Sequence, residues 1–185
     1  MAVTGDRDRW TAFRTPLGWM VILGHGMVLK QVTFGHPSRQ AAIEAMDPEL
    51  ARRACHADWN PGLVGRLQAY ASGRRDDFLD IEVDPGRSTD FQRCVLDCCR
   101  RIPFGTTITY SELAARAGRQ GAARAVGNCM AGNRIPLVIP CHRIVAANGK
   151  LGGYSAPGGI DLKLRLLEME ALASSSGRRP DRFSR

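Results

Sequence analysis

The stretch from Pro140 to Arg143 places a thiol, an imidazole and a guanidinium on three consecutive residues, Cys141, His142 and Arg143. A thiol beside basic groups ionises more readily, and the thiolate is the form that attacks carbon or binds a metal. The pattern therefore allows three interpretations of Cys141: a nucleophile, a metal ligand or a structural thiol.

The other cysteines argue against a metal site. The uneven spacing of the six cysteines, and an N-terminus without a secretory pattern, predict reduced thiols rather than disulfides. Cys94, Cys98 and Cys99 lack the second cysteine pair of a zinc site and lie in an amphipathic helical pattern, so they are interpreted as buried helix residues. We therefore predict neither a metal nor a cofactor.

Glu170 is the candidate partner of His142. It follows Leu166 by four residues and Leu167 by three, which places its carboxylate on or beside the apolar face of a predicted helix. An unpaired charge there is costly, so we expect a buried partner. A chain of carboxylate, imidazole and thiol would keep Cys141 poised as a nucleophile, whereas the other interpretation leaves Glu170 exposed at a helix end.

The apolar run Ile135–Ile139 predicts an extended segment that brings Cys141 out of the core. Side chains of neighbouring residues on an extended chain point to opposite faces, so Cys141 and His142 should form no short direct bond. Proton exchange between them would need a bridging water or a turn at Cys141. A cysteine hydrolase is disfavoured, because adjacent residues make a poor dyad and no oxyanion motif is evident.

Length and composition place the chain among soluble globular proteins. Its 185 residues, 44% hydrophobic and 24% charged, suffice for one ordinary domain or two small ones. The N-terminus contains no apolar run of the kind found in a signal peptide or a membrane span. The sequence therefore predicts a cytoplasmic protein with no membrane segment.

The formal net charge of +8 is concentrated in the second half of the chain. Residues 1–86 carry 10 Lys/Arg and 11 Asp/Glu (net −1), whereas residues 87–185 carry 16 and 7 (net +9). A basic half of this kind indicates an anionic partner such as nucleic acid, with solvated surface arginine as the other interpretation. The basic tail, residues 174–185, is predicted to be disordered.

The predicted fold class is α+β. A small N-terminal α/β domain, residues 1–86, begins with an antiparallel meander over Thr11–Gly35, where apolar runs alternate with turn signals. Helical spacing then covers residues 38–71, and residues 77–84 read as a short strand. The second domain, residues 87–173, is predicted to be mostly helical and to carry the candidate cysteine.

Within the second domain, Ser88 or Thr89 is predicted to cap the first helix. Two later helices, at residues 111–117 and 121–132, have the spacing of a helix-turn-helix, although such short helix pairs also occur without DNA. The second of them is rich in small residues and has a single long polar side chain, which favours sequence-independent groove contact. The candidate DNA contacts there are Ala123, Arg124 and Gly127.

A glycine-rich loop follows the candidate cysteine. Asn148 and Gly149 mark a hairpin turn, and residues 152–159 form a flexible loop that carries Tyr154 and Ser155 and could close over a flat ligand. Asp161 is predicted to cap the last helix.

The second half resembles the O6-alkylguanine-DNA alkyltransferase family, the methylated-DNA–protein-cysteine methyltransferases. Order and spacing agree from about Thr89 to Ala171, and a weaker strand pattern extends the likeness to about residue 15. The matching stretches are "FQ" at Phe91, "IPFGTTITYSELA" from Ile102, "RAVG" from Arg124, Asn133, "IPCHRIV" from Ile139, "GGYS" from Gly152 and "LLEME" from Leu166.

The resemblance implies that Cys141 accepts an alkyl group from O6 of guanine in double-stranded DNA, in one irreversible turnover of direct DNA repair. His142 is then the base that reaches the thiol through water, Glu170 orients His142, and Asn133 braces the turn that holds the cysteine. The resemblance also implies that the damaged base is flipped out of the DNA stack into a pocket of the protein.

On the substrate side, the resemblance implies that Tyr110 donates a hydrogen bond to the guanine ring. Tyr154 and Ser155 would lie in the loop that faces O6, and Arg124 would fill the gap left in the duplex. O4-alkylthymine is a further possible substrate, and a monomer is expected. The alternative function is a lesion-binding protein without chemistry, against which Cys141 argues.

Three features depart from the family pattern. Arg134 follows Asn133 where many members have proline, which would alter the turn or add a phosphate contact. The loop Tyr154–Ile160 is two residues longer than usual. If that insertion is ignored, Glu168 rather than Glu170 aligns with the family glutamate.

Overall fold

The computed structural model describes residues 7–147 and 149–176. Strands β1 (Asp8–Thr15), β2 (Gly18–His25) and β3 (Val28–His36) form the predicted antiparallel meander. Gly18 and Gly26 adopt left-handed φ values of 103° and 56° in the two connecting turns, a conformation that favours glycine. The sheet has the order β3-β2-β1-β4, because a short strand that the sequence did not predict, β4 (Ala54–His56), pairs parallel with β1.

The helical region predicted for residues 38–71 is divided by β4 and two turns. It contains α1 (Arg39–Glu44), α2 (Pro48–Arg53) and α3 (Pro61–Ala71). Asp47 and Asn60 cap α2 and α3 through their side chains, and proline follows each cap. Local capping therefore interrupts the apolar periodicity.

The strand predicted for residues 77–84 is wrong. Only Val83 pairs there, in an isolated bridge with Leu29. Arg100 instead donates to three backbone carbonyls of this segment, including that of Phe78 at 2.8 Å. Because a side chain satisfies these carbonyls, the segment coils against the core without a ladder.

The second half contains five helical elements and two short strands among the described residues. Thr89 caps its first helix in a reciprocal pair with Gln92. The elements are α4 (Asp90–Arg100), β5 (Ile108–Thr109), α5 (Tyr110–Arg116), α6 (Ala123–Ala131), a 3-10 turn (Cys141–Arg143), β6 (Ile144–Val145) and α7 (Gly159–Ser176). β5 and β6 pair in parallel.

Helix α7 departs from the prediction at both ends. It begins at Gly159, so Asp161 lies in its first turn rather than at the cap. It continues through Ser176, so the first three residues of the predicted tail are helical. Residues 177–185 and Asn148 of the predicted hairpin turn lie outside the described residues.

One hydrophobic core contains residues from both halves of the chain. Phe34 and Leu67 share it with Val95 and Leu166. At the junction, the Val32 amide donates to the carbonyl of Arg134 at 2.9 Å, and the Arg134 guanidinium pairs with Asp47 at 3.0 Å. The division near residue 86 stays a prediction. No helix in the described part of the chain is long and apolar enough to cross a membrane.

Candidate active site

Cys141 is positioned by two consecutive turns. Pro140 has φ −79° and ψ 66°, and the Cys141 amide donates to the carbonyl of Ile139 at 2.8 Å, the geometry of an inverse γ-turn. A 3-10 turn then begins at Cys141. The predicted extended segment before it is wrong, because the Ile139 amide bonds back to the carbonyl of Ile135 at 2.9 Å.

Asn133 closes this turn from inside. Its side-chain amide donates to the carbonyl of Ile139 at 2.8 Å, and its oxygen accepts from the Ile135 amide at 3.0 Å. A side chain that serves as both donor and acceptor satisfies backbone groups that no strand pairs. Asn133 therefore holds the backbone on which Cys141 sits.

Cys141 is buried, with 7% of the residue exposed. Burial raises its pKa, and the Asn133 side chain and the positive charge of Lys163 oppose that rise. The resting thiol is therefore protonated at neutral pH, and it needs a base before it can attack.

His142 is fully buried beside that thiol. Its Nε2 lies 3.1 Å from Oε1 of Glu170, and its Nδ1 has no hydrogen-bond partner within the described chain. An ionised carboxylate only accepts, so Nε2 carries the hydrogen and Nδ1 presents a lone pair. Cys141 and His142 form no direct hydrogen bond, as predicted, although a turn rather than an extended chain separates their side chains.

The carboxylate that contacts His142 is that of Glu170, whereas Glu168 is exposed. Arg143 donates two hydrogen bonds to the Glu170 carboxylate, from Nε to Oε2 at 3.0 Å and from Nη2 to Oε1 at 2.7 Å. The Gly105 amide donates to Oε2 at 3.0 Å. Burial by itself raises the pKa of Glu170, but hydrogen bonds and charges from His142 and Arg143 outweigh it and hold that pKa well below its usual range. Glu170 is therefore ionised in the folded protein.

Tyr70 completes the group and was missed by the sequence analysis. Its hydroxyl donates to Oε1 of Glu170 at 2.5 Å and lies 3.3 Å from Nε2 of His142. The sequence contained one signal, since Tyr70 shares the apolar stripe of α3 with Leu63 and Leu67, and a buried phenol needs a hydrogen-bond partner.

Lys163 was also missed. It lies on α7, and its buried ammonium donates to the carbonyls of Ile144 at 2.6 Å and Leu151 at 2.5 Å. These bonds tie the strand after Cys141 to the start of the glycine-rich loop. Burial lowers the pKa of Lys163, with the charge of an ionised Cys141 opposing that change.

Two cavities reach the thiol. One of about 360 Å³ opens between α5, α6 and the loop, within the size range of small-molecule sites. Its lining is Tyr110, Gly127, Met130, Ala131, Cys141, Gly153, Tyr154 and Ser155. The other, of about 480 Å³, extends between β3 and the loop and shares Cys141, Tyr154 and Ser155.

The three predicted DNA contacts all lie on α6. Arg124 is exposed on α6, and Ala123 is half-buried beside it. Gly127, one turn later, lines the smaller of the two cavities. A β-carbon on Gly152 would lie 3.2 Å from the Tyr110 ring, so the loop backbone packs close to this tyrosine.

The three cysteines of α4 were all predicted to be buried, and the structure confirms this for one of them. Cys99 is buried, Cys98 is half-buried and Cys94 is exposed. The inward face of α4 is formed by Val95, Leu96 and Cys99, which leaves position 94 on the outer side. Residues 7–147 and 149–176 contain no group of three or more His, Cys, Asp or Glu side chains that could hold a metal ion.

The buried pair of Glu170 and His142 makes stability depend on pH. Both pKa values are lowered by folding relative to the ordinary 4.5 and 6.5, so protonation favours the unfolded chain. We expect the free energy of unfolding to fall as the pH drops below about 6.5 and more steeply below 4.5, by up to about 1.4 kcal/mol per pH unit for each proton.

Urea unfolding measured at a series of pH values between about pH 8 and about pH 4 tests this dependence. Burial also lowers the pKa of His36, which adds a contribution of the same sign. The matched variants His142→Gln and His36→Gln separate the two histidines. A difference curve between wild type and His142→Gln that is flat across this range would contradict the assignment.

The chain is similar to proteins of one known family. The family model described as "6-O-methylguanine DNA methyltransferase, DNA binding domain" matches residues 90–172. A methylated-DNA–protein-cysteine methyltransferase of Mycobacterium tuberculosis is 38% identical over 156 residues, which cover 84% of this chain and 88% of the relative. One of Methanothermobacter thermautotrophicus is 45% identical over 111 residues, covering 60% of this chain and 61% of that protein.

A solved structure is similar over most of its length. The crystal structure of Mycobacterium tuberculosis OGT in complex with DNA superposes with a TM-score of 0.74 at 35% identity, covering 89% of this chain and 94% of that one. The likeness therefore includes both halves of the chain.

Proposed function

The chain belongs to the methylated-DNA–protein-cysteine methyltransferases, and we propose that it repairs DNA by moving an alkyl group from O6 of guanine to its own Cys141. The observation that carries the proposal is the buried pair of His142 and Glu170 beside Cys141, which lines a cavity bordered by α6. Enzymes of this class act in DNA repair, and double-stranded DNA containing O6-alkylguanine is the partner.

The chemistry begins with the thiol proton. His142 takes this proton at Nδ1 through a bridging water, and Glu170 stabilises the imidazolium that forms. The sulfur of Cys141 attacks the alkyl carbon, so an S–C bond forms as the C–O6 bond breaks and the electron pair stays on the guanine. The guanine gains a proton in place of the alkyl group, which balances the proton lost by the thiol.

The guanine enters the smaller cavity after it leaves the DNA stack. An alkyl carbon on O6 is inaccessible to in-line attack inside the duplex, which is why the base must be flipped. Tyr110 donates a hydrogen bond as negative charge develops on the ring, while Tyr154 and Ser155 face O6. The proximity of all three to Cys141 in one cavity supports these roles.

DNA contact is assigned to α6. Arg124 occupies the gap left by the flipped nucleotide, and the small side chains of Ala123 and Gly127 let the helix backbone approach the groove. The exposure of Arg124 and the presence of Gly127 in the cavity lining support this role. Arg134, by contrast, forms an ion pair with Asp47, which favours a structural role for Arg134 between the two halves of the chain.

Because a thioether has no easy reverse path, each molecule acts once. The proposed transfer uses side chains of the protein and involves neither a metal nor a cofactor. O4-alkylthymine is included in the proposal as a second substrate, and the protein is proposed to act as a monomer. The alternative, a lesion-binding protein without chemistry, leaves the buried relay behind Cys141 unexplained.

Intact-mass measurement tests the proposal directly. The full-length protein is incubated with a duplex containing O6-methylguanine, and with the same duplex containing guanine as the control. We expect a stoichiometric gain of one methylene mass with the methylated duplex alone. Binding of that duplex without any mass gain would favour the lesion-binding alternative.

A further inference from the structure

The contact of Tyr70 with the relay comes from outside the matched DNA-binding domain. Cys141, His142 and Glu170 lie within residues 90–172, whereas Tyr70 lies on α3, 100 residues before Glu170 in the chain. The first half of the protein therefore supplies a polar group to the reacting centre, besides packing against it.

The position of the Tyr70 hydroxyl is fixed by its ring. The ring packs edge-on to Phe104, with centroids 5.9 Å apart at 89°, and lies tilted against Phe78 at 5.6 Å. Tyr70 is fully buried. A ring held in this way has one place for its hydroxyl, between Glu170 and His142.

The hydroxyl acts as a donor. Burial and the negative charge of Glu170 raise the pKa of Tyr70 well above its usual value, so the phenol keeps its proton. That proton points at Oε1 of Glu170, the same oxygen that accepts from Nε2 of His142. Arg143 Nη2 also donates to this oxygen at 2.7 Å. Donors that share one oxygen divide its charge, and each bond is weaker than it would be alone.

We propose, on the premise of the alkyl transfer described above, that Tyr70 is a positioning residue that fixes the Glu170 carboxylate and limits its pull on His142. The imidazole then stays neutral in the resting protein, and Nδ1 is free to take the thiol proton. Without the hydroxyl, Oε1 would have one donor fewer beside His142 and Arg143, so more of its charge would act on Nε2 and would favour the imidazolium before the thiol has been deprotonated.

The charged groups that face His142 differ in their effect on its protonation, and the positive ones act in the same sense as Tyr70. Arg143 of the same turn and Lys163 of α7 carry positive charges that disfavour the imidazolium, as does burial, and Glu170 favours it. Cys141 is the remaining titratable neighbour on this turn. Because Glu170 opposes all the other contributions, a change in its hydrogen bonding should be visible in the protonation of His142.

The test is Tyr70→Phe in the full-length protein, with single-turnover methyl transfer measured from pH 5 to pH 9, a window of roughly two units on either side of neutrality. We expect the rate at neutral pH to fall about tenfold, as for the loss of one hydrogen bond to a charged group. The acid limb of the profile, below which His142 is protonated, should move to higher pH.

Leu67→Val is the matched control, because Leu67 is fully buried on the same helix one turn earlier and has no polar atom. It should lower the thermal unfolding temperature and leave the acid limb unchanged. Replacing Tyr70 by 3-fluorotyrosine, a stronger donor of nearly the same size, should move the acid limb to lower pH without loss of packing.

Three results would overturn the inference: an acid limb that Tyr70→Phe leaves in place, one that moves to lower pH, or a shift that Leu67→Val reproduces. Nitrogen-15 NMR of the His142 imidazole provides a readout without substrate, and titration at an unchanged pH in Tyr70→Phe would equally refute it. If the wild-type protein itself transfers no methyl group, the proposed function fails instead.

Discussion

Replacing Cys141 by serine should abolish methyl transfer while the protein stays folded. A serine hydroxyl is far less acidic than a thiol, so His142 cannot prepare an anionic nucleophile from it. We expect the transfer rate to fall on the order of 10⁴-fold or more, the scale seen when a nucleophile is removed. Intact mass and single-turnover transfer measure the loss, and circular dichroism checks the fold.

Cys99 and Cys129 provide matched controls, because both are buried cysteines of the same domain. Cys99→Ser and Cys129→Ser introduce the same chemical change but leave Cys141 in place, so both should retain stoichiometric transfer at some cost in stability. A methylene gain that persists in Cys141→Ser, or one that disappears only in Cys99→Ser, would assign the acceptor elsewhere.

Replacing Arg143 by methionine should lower the free energy of unfolding by about 3–5 kcal/mol. The substitution keeps an unbranched, flexible side chain but removes the guanidinium that binds both oxygens of Glu170 and the carbonyl of Ile102. Glu170 is fully buried, so its charge would then lack its main counter-charge. Urea unfolding at neutral pH measures the loss.

Arg66 is the control for Arg143, since it also makes a bidentate pair, with Asp76, but its side chain is 32% exposed. Arg66→Met should cost about 1 kcal/mol or less, because solvent screens an exposed pair. The double variant Arg143→Met/Glu170→Gln should be more stable than Arg143→Met alone, since it removes the uncompensated charge. Equal losses for Arg66→Met and Arg143→Met would contradict the argument.

The role of Arg143 shows where reasoning from the sequence stopped. The motif identified the thiol and its neighbouring base, because consecutive residues are close in any fold. The sequence did not reveal what Arg143 binds, since that depends on Glu170, which is 27 residues away in the chain. In the structure, Arg143 neutralises the carboxylate that orients His142.

Local patterns predicted the strands of the meander, the cap at Thr89 and the helix pair, because turn residues, caps and apolar periodicity act over a few neighbours. They failed for β4 and for residues 77–84. A three-residue strand has too little periodicity to be recognised, and the Arg100 side chain satisfies the carbonyls that a ladder would have used.

The sequence by itself determined the family, because the motifs around Cys141 keep their order and spacing along the chain, and it predicted Cys141 as the candidate nucleophile. Only the tertiary structure revealed the turn at Cys141 and identified Glu170, rather than Glu168, as the partner of His142. The contacts of Tyr70 and Lys163 were also visible only there. These features depend on burial and on contacts between segments that are distant in the chain. Burial sets the free-energy penalty of each charged group, and the contacts supply the partner that compensates it.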